Sequence, residues 1–200
     1  MNTTTIIVAI ILTGVIVLFF VSSKARAKSD GKHESGQDST RRKVHHPEEN
    51  VYGDLRGMAL SNTPEQLGLT IPEKETVVFG VVMDWGIDDA VATTVAYRNG
   101  EASLYLSSGG GVIGGGQHEQ VNKVAKQFVS LAQKHLKHTK KTNDTPLPKT
   151  DEVIFYLLTN NGTYTGKEQM KNFENETSGW TDLFYAGNDI LSELRKIDKK

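Results

Sequence analysis

The sequence predicts an α+β chain: a single N-terminal transmembrane helix, a disordered charged linker, and one domain with a mainly antiparallel sheet of four to five strands and two to three packed helices. Three observations lead there. The 23 Lys/Arg and 24 Asp/Glu all follow residue 23, so the first segment belongs to a different solvent from the rest. Short β-branched runs are joined by tight-turn signals such as Asn99-Gly100, which favour antiparallel hairpins. Two long segments repeat apolar residues at spacings of three and four, the period of a half-buried helix.

Residues 6–21 read IIVAIILTGVIVLFFV, with only Thr13 and Gly14 not strongly apolar. At about 1.5 Å per residue they reach roughly 24 Å, and with their uncharged flanks about the 30 Å of a hydrocarbon core. Residues 1–23 are therefore read as a single-pass membrane anchor. Lys24, Arg26 and Lys28 follow at once, which places the later chain on the cytoplasmic side. A cleaved secretory signal is the competing reading, with Ala25-Arg26-Ala27 as the cleavage site and a periplasmic or secreted product. Against it, Met1–Thr5 lacks the basic side chain such a signal carries ahead of its apolar run. Residues 24–50 are polar, with Val44 the only large apolar side chain, and are read as a disordered linker.

Residues 51–200 form the predicted domain. It carries 16 Lys/Arg against 19 Asp/Glu, a balance without the electrostatic footprint that nucleic acid requires. The absence of cysteine excludes disulfides, thiolate metal sites and Cys nucleophiles. A weak helix runs from Pro47 through Leu60, with Tyr52, Leu55, Met58 and Ala59 on one face, and Thr63-Pro64-Glu65-Gln66 opens a short capped turn. Thr76–Trp85 is a continuous apolar run, a central strand covered on both faces. Ala90–Tyr97 and Ala102–Ser108 complete a meander through Asn99-Gly100. Gln117–Lys137 is the clearest helix, on the stripe Val121, Val124, Ala125, Phe128, Leu131, Ala132 and Leu136. Asp151–Thr159 is a fourth strand, an extended piece follows the Asn160–Gly162 turn, and a last helix runs from Ser178 or Thr181 to about Ile197.

Six of the eight residues from Gly109 to Gly116 are glycine, between a strand and the best helix. Glycine costs roughly 0.5–1 kcal/mol relative to alanine where backbone is ordered, so six of them imply a requirement for positive φ or for close approach. Gly109, Gly110, Gly111, Gly114, Gly115 and Gly116, with His118 and Trp85, are the expected ligand- or partner-binding surface. The dinucleotide pattern is met by letter, but no Asp or Glu lies between Glu119 and Asp144 where a ribose-binding acid belongs. The phosphate-loop pattern fails because Gln117 and His118 follow Gly116. His118, Ser108 and Asp84 are the catalytic candidates, as a triad without a nucleophile elbow. Asp84, Asp88 and Asp89 crowd one turn without the glycine and glutamate of a calcium loop, so no metal and no cofactor is expected.

At Gly80-Val-Val-Met-Asp-Trp-Gly86 and Ser103-Leu-Tyr-Leu-Ser-Ser-Gly-Gly-Gly-Val-Ile-Gly-Gly-Gly-Gln-His118 the chain resembles a group of uncharacterised bacterial proteins. They share a strand, an S-L-Y-x-S-x-G-G-G-x-I-G-G-G-x-H core and a helix. The likeness covers about residues 76 to 195 and implies no catalytic residue. In topology alone the domain is similar to the profilin-like Roadblock and longin domains, small regulatory scaffolds of a meander sheet with flanking helices. The resulting expectation is a binding or scaffold module at a bacterial inner membrane, contacting a protein partner through the glycine loop. The alternative is a hydrolase or nucleotide-handling enzyme that uses the same loop and His118.

Overall fold

The computed structural model describes residues 50–197. The expected anchor (1–23) and nearly all of the linker (24–50) lie outside the described residues, and among the described residues no helix is long and apolar enough to cross a membrane.

Strands β1 (Val78–Ile87), β2 (Ala90–Tyr97), β3 (Ala102–Leu106), β4 (Gly111–Val112), β5 (Lys140–Thr142), β6 (Glu152–Thr159) and β7 (Gly162–Gln169) form one sheet in the order β4-β3-β2-β1-β6-β7-β5. Every pairing is antiparallel. Helices α1 (Val51–Ser61), α2 (Glu119–His135), α3 (Met170–Glu174) and α4 (Thr181–Ile197) accompany it. The fold class is thus corrected to an α+β domain with a seven-stranded antiparallel sheet and four helices among the described residues, in place of four to five strands and two to three helices. The elements that periodicity missed are the shortest. β4 is half glycine, β5 is Lys-Lys-Thr in a polar crossing, and α3 has five residues, so none is long enough to show a period.

The continuous apolar run does form the centre: β1 pairs with β2 and β6 and is buried along its whole length. Side chains alternate between the two faces of the sheet. One face carries Met83, Trp85 and Phe155 against α2 and α4. There Trp85 meets Phe184 edge-on at 5.5 Å between ring centroids, and Phe155 stacks on Trp180, which stacks on His135. The other face carries Val82, Asp84, Val95, Tyr97, Tyr105, Ile154 and Tyr156. It is covered by α1 and by Leu67, Leu69 and Ile71 of the following segment.

Helix α1 starts at Val51, with the Asn50 side chain accepting from the Gly53 amide, instead of at Pro47. The expected capping box follows it: the Thr63 amide donates to Gln66 Oε1 at 2.8 Å and the Gln66 amide to Thr63 Oγ1 at 3.4 Å. One position on α1 departs from the apolar stripe. Met58 is 59% exposed, and Arg56 is turned to the sheet and buried.

Candidate functional site

The glycine run is an ordered structure with two unlike halves. Beyond β3 the chain turns at Leu106–Gly110, where the Gly109 amide donates to the Leu106 carbonyl and the Leu106 amide to the Gly110 carbonyl. Gly109, Gly110 and Gly111 take φ of 101°, 87° and 146°, and Gly114 takes 73°. An L-residue in the left-handed region costs about 1–2 kcal/mol, so a turn built from several such residues in a row calls for glycine. At Gly111 space forbids a side chain as well, since a Cβ would land on the Leu104 carbonyl oxygen of the paired strand. Around Gly109, Gly110 and Gly114 nothing lies within 4 Å of where a Cβ would stand, and all three are exposed.

The inner half is packed. Gly115 and Gly116 form a 3-10 turn and are buried. A Cβ on Gly115 would run into Leu194 of α4 and Val121 of α2, and one on Gly116 into the Glu101 carboxylate at 2.6 Å. Glu101 Oε2 accepts the Gly116 amide at 3.3 Å, and Asn122 Nδ2 donates to the Gly116 and Asn99 carbonyls. The anion at this end of the loop is therefore the chain's own carboxylate. A phosphate would compete with it for the same amide.

The other sequence candidates do not gather here. His118 is exposed at the start of α2, with its backbone extended and no side-chain capping bond. Ser108 is exposed in the turn, and its neighbour Ser107 uses Oγ to accept the Val91 amide at 2.7 Å. Trp85 is 3% exposed beneath α4, so it takes no part in a contact surface; the cause is its outward neighbour Phe184, against which the indole is buried. Asp84 is 0% exposed beneath α1. Its Oδ2 accepts from Arg56 Nε at 2.9 Å and Nη2 at 2.6 Å, and its Oδ1 accepts from Thr93 Oγ1 at 2.6 Å. Both oxygens are taken, so Asp84 does not complete a triad with Ser108 and His118. Asp88 and Asp89 are exposed in the β1–β2 turn, and no cluster of potential metal ligands occurs among the described residues.

Arg56 is the residue that sequence reasoning missed. The signal was present: a lone carboxylate inside TVVFGVVMDW must find a partner if that run is buried on both faces. The network extends through Tyr52, whose hydroxyl donates to Thr93 Oγ1 at 2.8 Å, and the Arg56 guanidinium lies 5.5 Å from the centre of the Tyr156 ring. Burial pushes the Asp84 carboxyl up, opposed by Arg56 and Thr93. Burial also works against the Arg56 charge, but the Asp84 carboxylate outweighs it and holds the guanidinium protonated. A cavity of about 370 Å³ between α1 and the 143–147 segment reaches Arg56 but leaves Asp84 enclosed.

Comparison with protein-family models, curated proteins and solved structures finds no match.

Proposed function

We infer that the domain is a protein-binding or scaffold module, attached to a membrane through the apolar run at residues 6–21, and that it meets its partner with the outer half of the glycine run. The observation that carries this reading is Ile113. It is 66% exposed and sits beside the terminal strand β4 among glycines whose Cα atoms are bare. The open edge of β4 favours a partner strand laid along it, where backbone hydrogen bonds give affinity and Ile113 supplies an anchor. His118 stands exposed at the start of α2 as a polar member of the same loop region. The concentration of buried titratable groups under α1, away from this edge, favours binding over catalysis. The basic residues Lys24, Arg26 and Lys28 support a cytoplasmic orientation.

The test is co-purification of the full chain from a mild detergent extract, with Ile113→Asp beside the wild type. The expected result is a discrete partner that the variant loses while its melting temperature is unchanged. A partner set identical in both proteins, or no partner in either, rejects the glycine edge as the contact surface.

A further inference from the structure

The outward face of α2 is basic, with Glu119 in its first turn the one acid on the helix. Between Glu119 and Asp144 the chain has six lysines and no acid, so the rest of residues 51–200 holds ten Lys/Arg against 19 Asp/Glu. Of these lysines, Lys123, Lys126 and Lys134 on α2 and Lys137 just beyond its end are all exposed, and none forms an ion pair among the described residues. Arg98, from the β2–β3 turn, joins Lys126, Ser130 and Gln133 around a niche of about 330 Å³. Beside it a shallow groove of about 420 Å³ runs along Lys126, Gln127, Ser130, Leu131 and Lys134. Gln133 is already engaged, accepting from the Val78 amide and donating to the Thr76 carbonyl, which leaves Arg98, Lys126 and Ser130 as the free donors of the niche.

We propose that this face of α2 docks on an anionic bilayer, with Arg98, Lys126 and Ser130 receiving a lipid phosphate and Lys123, Lys134 and Lys137 spread over neighbouring headgroups. Charge complementarity selects this occupant. Lys123, Lys126, Lys134 and Lys137 spread along the helix, with Arg98 beside them, suit a plane of phosphates. Each lysine brought to an anionic surface strengthens association about five-fold. The inference rests on the membrane attachment proposed above and is independent of the glycine edge. Attachment through the N-terminal run would hold the domain near the bilayer, and docking would fix which way it faces.

The chain has no cysteine, so a single spin label can be placed on the full-length protein at Gln127→Cys, in the groove, or at Met58→Cys, on α1 beyond the opposite face of the sheet. Vesicles of phosphatidylglycerol or of phosphatidylcholine alone are compared, and flotation reports attachment separately from docking. The expected result is flotation with both vesicles, shielding of the Gln127→Cys label from an aqueous quencher only on phosphatidylglycerol, and a Met58→Cys label open on both. High salt, or the combined Lys123→Gln, Lys126→Gln and Lys134→Gln substitutions, should shift the docked-to-free ratio by on the order of a hundred-fold without releasing the chain. A floated chain whose Gln127→Cys label is equally open on both lipids overturns the docking and leaves the attachment standing. A chain that floats with neither overturns both, and an acidic protein that shields the label without vesicles would identify a protein ligand in place of lipid.

Discussion

The glycine edge and the sheet face under α1 contrast in exposure and in chemistry. The edge is open and carries almost no chemistry: Gly109, Gly110 and Gly114 face solvent, Ile113 projects, and the nearest titratable candidates, His118 and Glu101, are respectively a lone imidazole and a carboxylate engaged by the Gly116 amide. The covered face is rich in chemistry, with Asp84, Arg56, Thr93, Tyr52, Tyr97 and Tyr156 in one stretch, and the cavity beside α1 reaches Tyr52 and Arg56 but leaves Asp84 enclosed. The ion pair and hydroxyl network fix α1 on the sheet, since Arg56, Tyr52 and the Ala59 carbonyl, which accepts from Tyr97, all belong to that helix.

The largest effect should come from breaking the covered face. Asp84→Ala would leave the Arg56 guanidinium buried and unpaired, a loss of about 3–5 kcal/mol of stability by denaturant titration. The double replacement Arg56→Met with Asp84→Leu should restore most of it, because two apolar side chains leave no charge stranded. If the single variant proves neutral, the network does not hold α1.

Alkaline pH probes the same region. Burial pushes the Tyr97 and Tyr156 hydroxyls from 10.0 up to about 12. Below pH 10 both are neutral folded or unfolded, and their contribution is intact. Between about 10 and 12 the unfolded chain loses these protons while the folded chain keeps them, so stability should fall steadily as pH rises through that window. Tyr97→Phe should flatten part of the decline in a series of thermal melts, at the cost of the hydrogen bonds to the Ala59 carbonyl and from Asn62 Nδ2.

The two halves of the glycine run sharpen the contrast at smaller scale. Gly115→Val drives a side chain into Leu194 and Val121 and should cost about 1–3 kcal/mol by overpacking. Gly109→Ala meets no neighbour, and its cost of about 1–2 kcal/mol comes from the backbone at φ 101° alone. At the exposed tip Ile113→Asp should change stability by no more than about 0.5 kcal/mol. Calorimetry that found the reverse order would show that the loop is not divided as described.

What was legible in the sequence follows from what leaves a period or a composition shift. The stripe of α2 and the uninterrupted apolar run of β1 are signals of burial, and both elements formed within two residues of the predicted bounds. The glycine run was visible as a requirement, but its inner half is explained by neighbours from residues 101, 121 and 194, which no local pattern announces. The same holds for Trp85, whose burial depends on Phe184 about a hundred positions later, and for Arg56, whose inward turn is explained by Asp84. Met58 illustrates the converse: the amphipathic count places it inward, yet it is 59% exposed, while Arg56, two residues earlier on the other side of the helix, is buried.

The central claim is that the chain's contact surface is the outer glycine edge, and it is tested most directly by site-specific photocrosslinking in living cells. A photoreactive side chain would replace Ile113 in one strain and Met58, also exposed but on α1, in another. Binding at the glycine edge predicts a discrete crosslinked species from position 113 and none from position 58. Adducts of equal yield from both positions, or none from position 113, would contradict it.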